Sequence, residues 1–139
     1  MPDNAEVHSM SESQPTPPKP GTIAWHDLTV PNAVEVRDFY AAVAGWKWQP
    51  VAMDAYEDFA MIPAGGEDAV SGICHARGTN TDLPAQWLMY VIVDNVGASV
   101  AACLSRGGSV VSGPRSLGSA EFAVIRDPAG AVFAVYQPG

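Results

Sequence analysis

The sequence has few basic residues, few cysteines and no long apolar run. Lys and Arg together number 7 against 15 Asp and Glu, so the formal net charge is −8. No basic stripe is present to neutralise phosphates, which argues against nucleic acid or an acidic membrane surface as a partner. No apolar run approaches the roughly 18 residues of a membrane span. The N-terminus lacks the basic start and apolar stretch of a signal peptide, so we expect a cytoplasmic protein.

Cysteine is nearly absent. Cys74 and Cys103 are the two in the chain, and both lie in apolar surroundings. That setting is typical of reduced core residues in a cytosolic protein, and a disulfide between them is the alternative. No Gly-x-Ser-x-Gly elbow occurs, so nucleophilic catalysis finds no support in the sequence.

What the chain does contain is an internal repeat. The run Phe-Ala-Met-Ile at residues 59–62 returns as Phe-Ala-Val-Ile at 122–125, a shift of 63 residues. A Pro-Ala-Gly follows each run, at 63–65 and at 128–130. One shift that relates several landmarks indicates two copies of one supersecondary unit.

Each copy has a pattern that predicts the order βαβββ. In the first copy, Asn32 and Glu35 are placed to cap a helix, and Gly45 is placed to end it. Apolar residues at helical spacing, from Val36 to Val43, predict one buried face for this helix. The predicted strands of the first copy are 23–30, 46–52, 59–62 and 69–75. In the second copy they are 88–93, 109–112, 122–125 and 131–136, with a helix between Asn95 and Gly107-Gly108.

These patterns predict one α+β domain at residues 22–139. Module one spans 22–77, a polar linker spans 78–86, and module two spans 87–138. The two modules should form a curved mixed sheet with a groove on one face and the helices on the outer face. Residues 1–21 are rich in Pro, Ser and Glu and are expected to form a disordered tail, in which His8 is inert.

The residues at the start of each module resemble those of the vicinal oxygen chelate superfamily. This superfamily contains glyoxalase I, extradiol dioxygenases and bleomycin resistance proteins. The similarity covers residues 22–138. In module one the matching segments are 27–30 (Asp-Leu-Thr-Val), 38–40 (Asp-Phe-Tyr) and 45–46 (Gly-Trp). In module two they are 93–96 (Val-Asp-Asn-Val), 107–108 (Gly-Gly) and 127–130 (Asp-Pro-Ala-Gly).

The resemblance implies four positions for a divalent metal, two in each module. They fall on Trp25, Leu88, Ala134 and one residue among 69–71. Trp, Leu and Ala offer no ligand atom to a metal ion, so we expect no metal cofactor. The alternative is a displaced site for Zn, Ni, Fe or Mn that uses His26 or His75. His26 should face away from the groove, because side chains on a strand alternate between faces, although a register slip would reverse this.

Strand alternation also predicts what lines the groove. The expected ligand-binding residues are Trp25, Asp27, Thr29, Leu88, Tyr90, Ala134 and Tyr136. Small-molecule pockets have this mixture of apolar walls and a few polar groups. Asp27 is the candidate catalytic residue, since a carboxylate among aromatic rings can act as a base or hold a cation. A structural role for Asp27 is the alternative. Residues 116–119 are expected to form a loop, which could be a lid.

Two functions fit the sequence. The first is a small-molecule-binding protein of the glyoxalase and bleomycin resistance type that works without the usual metal. The alternative is a metal-dependent lyase, dioxygenase or epimerase with a displaced site, and a metal-free enzyme with Asp27 as base lies between them. If the protein is an enzyme, it is a lyase, isomerase or oxidoreductase. The expected partners are a small organic ligand and, by resemblance, a second copy in a homodimer.

Overall fold

A computed structural model of the chain describes residues 18–139, which form eight strands and two longer helices. Most of the predicted tail (residues 1–21), including His8, lies outside the described residues. The elements are β1 (Ile23–Val30), α1 (Ala33–Ala44), β2 (Lys47–Ala52), β3 (Glu57–Ile62), β4 (Ser71–His75), a 3-10 turn (Gly78–Asn80), β5 (Trp87–Ile92), α2 (Val96–Ser105), β6 (Ser109–Leu117), β7 (Ala120–Arg126) and β8 (Val132–Gln137). No helix in this part of the chain is long and apolar enough to cross a membrane.

The strands form one mixed sheet in the order β2-β3-β4-β1-β5-β8-β7-β6. β1 and β5 lie antiparallel at its centre, and each pairs in parallel with the last strand of its own module. Asp27 pairs with Gly72 on one side of the centre, and Tyr90 pairs with Ala134 on the other. The predicted pair of βαβββ modules and the α+β class are therefore confirmed.

The sheet has a different core on each face. On the helical face, α1 packs on a cluster around Leu28 and Met61, and α2 packs on a cluster around Ala123 and Val135. On the opposite face, module two has a third cluster made of Leu88, Val124, Val132 and Ala134. Leu83 of the linker packs against that cluster. The linker is thus part of the groove face and not only a connection.

The two helices differ at their ends. Gly45 ends α1 in the left-handed conformation, as predicted, with a φ of 75°. The predicted cap at Asn32 is wrong in detail, because its side chain donates to Glu35 (2.9 Å) and accepts no backbone N–H. At α2, the Asn95 side chain does accept the backbone N–H of Ala98 at 2.8 Å.

The apolar stripe of α1 is only half covered. Val36 and Tyr40 pack against the core cluster of module one. Phe39 and Val43 are 55% and 67% exposed. The predicted single buried face is therefore wrong for these two residues.

The second half of β6 was predicted as a loop, and this prediction is wrong. β6 continues to Leu117, and a tight turn at Gly118 and Ser119 leads directly into β7. Along β6 the pairing passes from Ser112 opposite Val124 to Arg115 opposite Phe122. β6 therefore holds one extra residue at this point, which is a β-bulge.

Candidate functional site

A cavity of about 230 Å³ opens on the groove face where β1, β5 and β8 meet. Its walls are mostly aromatic or apolar, and its single ionisable carboxylate is that of Asp27. The lining residues are Ala24, Trp25, Asp27, Tyr90, Leu117, Phe122 and Tyr136. Trp25, Asp27, Tyr90 and Tyr136 are the predicted ligand-binding residues that the fold brings together.

Three other predicted ligand-binding residues do not line this cavity. Thr29, Leu88 and Ala134 lie on the same face but are at most 4% exposed. Leu88 and Ala134 belong to the cluster that Leu83 packs against. These three side chains are therefore buried and not in the wall of this cavity, and their part in ligand binding stays a prediction.

Sequence reasoning missed Leu117 and Phe122. Phe122 shares one face with Val124 on β7, a placement that the alternation of β7 alone could have revealed. Leu117 was assigned to a loop, and the length of β6 gave no sequence signal. Through these two residues, β6 and β7 contribute to the wall of the cavity.

Asp27 is held at the cavity by its neighbours. The indole Nε1 of Trp25 donates to Oδ1 of Asp27 at 2.6 Å. On β4, a side chain at Gly72 would collide with the same oxygen, so the glycine leaves space for the carboxylate. Burial raises the pKa of Asp27, and hydrogen bonding from Trp25 and then from Tyr90 opposes that rise. The site therefore contains a carboxyl group that holds its proton more tightly than usual.

Two neighbours of Asp27 keep their own protons. Burial, followed by the charge of Asp27, raises the pKa of Tyr90 far above its ordinary value. Burial, followed by the charges of Asp27 and Asp58, does the same to the pKa of Cys74. The cavity wall thus carries the protonated phenol of Tyr90 beside the carboxyl group of Asp27.

The four positions at which the resemblance implies a metal have no side chains that fit one here. Gly72 pairs with Asp27 in module one, as Ala134 pairs with Tyr90 in module two. Gly72 is therefore the equivalent of Ala134 and takes the fourth position, so the predicted position among residues 69–71 is wrong. Trp25, Leu88, Gly72 and Ala134 provide no ligand atom. Within residues 18–139, no three His, Cys, Asp or Glu side chains gather closely enough to hold a metal ion.

The two histidines of the displaced site lie apart. His26 is exposed beside Trp46 and Trp87, residues that pack with α1, so it is on the helical face. His75 is level with Val30 on β1, and its Nδ1 lies 3.2 Å from Oδ1 of Asp58. Four residues along a strand span about 13 Å, which is too far for both rings to bind one ion.

Comparisons with known proteins agree with this fold. The family described as glyoxalase-like domain matches residues 25–136. CFP32 of Mycobacterium bovis, provisionally named a glyoxylase, is 32% identical over 119 residues, which cover 85% of this chain and 44% of that protein. The anthracycline biosynthesis protein DnrV of Streptomyces peucetius is 30% identical over 132 residues, covering 86% of this chain and 48% of that one. The chain thus spans about half the length of the curated relatives it matches.

Solved structures with the same fold include Streptomyces coelicolor methylmalonyl-CoA epimerase in complex with 2-nitronate-propionyl-CoA. Its TM-score is 0.53 at 11% identity, and the alignment covers 87% of this chain and 99% of that one. A second structure of this epimerase, also with 2-nitronate-propionyl-CoA, gives 0.54 at 12% identity. At such identities the likeness shows the architecture alone.

Proposed function

The chain belongs to the glyoxalase-like domain family of the vicinal oxygen chelate superfamily, and from this membership we propose that it binds a small aromatic molecule in the groove without the divalent metal usual in that superfamily. One observation carries the proposal. A partly buried carboxylate lies among aromatic rings at Asp27, while the four positions that would hold a metal have no ligand atoms.

The chemistry of the cavity favours a flat, largely apolar ligand with a polar edge. Trp25, Tyr90, Phe122 and Tyr136 offer ring faces and edges that stack well on another aromatic ring. Asp27 and the hydroxyl of Tyr90 are the polar groups that would fix its orientation. The relative named for anthracycline biosynthesis supports the same broad class of aromatic compound.

Tryptophan fluorescence tests the proposal directly. We expect saturable quenching when 2-naphthol or daunorubicin is titrated into the protein, because Trp25 lines the cavity. Trp25→Phe should lose most of this change. Trp48→Phe is the matched control, since Trp48 lies over Arg37 at 4.0 Å, away from the cavity, and it should respond as the wild type does. Unchanged emission with both probes, or a Trp25→Phe protein that behaves like the wild type, would refute the proposal.

A metal-dependent lyase, dioxygenase or epimerase is the second candidate, favoured by the provisional name of one relative. Elemental analysis separates the two. We expect less than stoichiometric Zn, Ni, Fe or Mn, both as purified and after each ion is added and the excess removed. One equivalent per chain, lost in His26→Ala or His75→Ala, would establish the second candidate.

A metal-free enzyme that uses the same cavity remains a variant of the first proposal. Asp27 would then accept a proton from the bound compound, and its raised pKa makes it a stronger base than an ordinary carboxylate. Exchange of an acidic C–H proton for deuterium, followed by NMR with a ketone probe and lost in Asp27→Asn, would distinguish catalysis from binding alone.

A further inference from the structure

Arg115 lies on the groove face, opposite Phe122 of β7. The pairing of β6 with β7 shifts twice, between Val110 and Ser112 and between Ser112 and Arg115, and each shift adds one residue to β6. Two extra residues leave the alternation of faces unchanged overall. Val110 packs on the helical face, so Arg115, five residues later, lies on the groove face.

Gly113 makes the second of these bulges possible. Its φ is 87°, in the region that favours glycine. A Cβ at this position would lie 3.1 Å from the carbonyl oxygen of Phe122 and 3.2 Å from the backbone nitrogen of Arg115. The backbone two residues before Arg115 therefore needs a glycine.

The guanidinium of Arg115 lies over a wall of the cavity. Its central carbon is 4.9 Å from the ring centre of Phe122, which lines the cavity. Its Nη2 donates to Oδ1 of Asn80 in the linker at 3.1 Å. The Nε is buried and has no hydrogen-bond partner in the described part of the chain.

The same guanidinium has no acidic partner among residues 18–139. The ion pairs found there are Arg37 with Asp38 and His75 with Asp58. A half-buried charge is costly unless an opposite charge or enough hydrogen bonds compensate it, and one neutral amide supplies only part of that. The charge also reaches the cavity, since it lowers the pKa of Tyr90 while burial and Asp27 raise it.

We propose that Arg115 binds an anionic oxygen of the ligand, either a carboxylate or a phenolate, at the module-two edge of the cavity. This inference rests on the proposed function and names the ligand class more closely, as an aromatic acid. The rings would stack between Trp25 and Phe122. The polar edge would meet Tyr90, and the anionic group would lie near Arg115 and away from Asp27, because like charges repel.

Paired probes of the same shape test this. Isothermal titration would compare 2-naphthoate with neutral 2-naphthylmethanol in the wild type and in Arg115→Gln. A hydrogen-bonded charge pair is worth about tenfold or more in affinity. We expect the wild type to prefer 2-naphthoate by about that factor, and Arg115→Gln to lose the preference while binding the alcohol as before. Arg115→Lys should keep part of it.

Two further comparisons separate recognition from a structural role. Arg106→Gln removes the same charge from the end of α2, beside a different cavity, and should leave the preference unchanged. If Arg115 only holds the linker to the sheet, Arg115→Gln will weaken both probes equally, and the inference is wrong. It is also wrong if the wild type binds both probes equally. If neither probe binds, the proposed function fails together with the inference.

Discussion

The indole nitrogen of Trp25 and the carboxylate of Asp27 are joined by a 2.6 Å hydrogen bond along one strand. Residues two apart on a strand point to the same face, so β1 supplies both the wall of the cavity and its acceptor. The bond opposes the effect of burial on the pKa of Asp27. It also fixes one oxygen of the carboxylate in the cavity wall.

The first prediction concerns Asp27 and stability. Because the folded state raises the pKa of Asp27 above its ordinary value of 3.8, the native protein binds this proton more tightly than the unfolded chain does. The contribution of Asp27 to stability is therefore full below pH 3.8 and falls as pH rises through the raised pKa. Asp27→Asn should then be more stable than the wild type at neutral pH.

Urea denaturation near pH 7 and near pH 3.5 checks this. The advantage of Asp27→Asn should shrink strongly at the lower pH, where the wild-type carboxyl is protonated in the native state and mostly protonated in the unfolded chain. Asp82→Asn removes an exposed carboxylate from the linker and should show little dependence on pH. A difference between Asp27→Asn and the wild type that is the same at both pH values would contradict the prediction.

The second prediction concerns the space at Gly72. Gly72→Ala places a methyl group against the Asp27 carboxylate and 3.6 Å from the Trp25 nitrogen. Since the Asp27 side chain must shift within a packed site to make room, we expect a loss of about 1–3 kcal/mol in the free energy of unfolding. The Trp25–Asp27 bond should break, and 2-naphthol affinity should fall with it.

Gly66→Ala is the control for this substitution. A Cβ at Gly66 would have its nearest contact at 3.4 Å, an ordinary distance, so a change within about 0.5 kcal/mol is expected. Denaturation midpoints and the downfield indole N–H resonance of Trp25 would both be followed. A Gly72→Ala protein with wild-type stability and an unshifted resonance would show that the site has more room than the structure indicates.

The third prediction concerns the reactivity of Cys74. Burial and the carboxylates of Asp27 and Asp58 hold its thiol in the neutral form, and the thiolate is the reactive species. Iodoacetamide at pH 8 should therefore modify Cys74 far more slowly than free glutathione, as followed by intact mass and peptide mapping. Labelling of Cys74 in the folded protein at the rate of glutathione would contradict this.

The fold could be predicted from the sequence because the 63-residue repeat gives both modules the same order of strands and helix. The 63-residue shift correctly relates Asp27 to Tyr90, as their equivalent pairings show. Gly72 was missed because the shift between equivalent residues is 63 from Asp27 to Tyr90 but 62 from Gly72 to Ala134. The loops before the last strand of each module differ in length by one residue. Arg115 was missed because the sequence predicted that this strand ends at residue 112, whereas β6 continues to Leu117 through two bulges that have no clear mark in the sequence.

Side-chain burial was harder to predict than strand order. Alternation placed Leu88 and Ala134 on the groove face, and they are there, but it could not show that Leu83 of the linker packs over them. A polar linker with one leucine gives no sequence sign of where that leucine lies. Long-range packing therefore decided which groove residues reach a ligand.

The last prediction is that the protein forms a homodimer through α1. Phe39 and Val43 lie one turn apart and are 55% and 67% exposed, although their spacing is that of a buried stripe. A second copy would cover this apolar surface. Light scattering should give twice 14.6 kDa for the wild type and a monomer for Phe39→Asp.

Leu104→Asp changes a residue of similar exposure, 56%, on α2, and should remain a dimer. A wild-type monomer at high concentration would refute the prediction, and a dimer broken by Leu104→Asp instead would move the interface to α2.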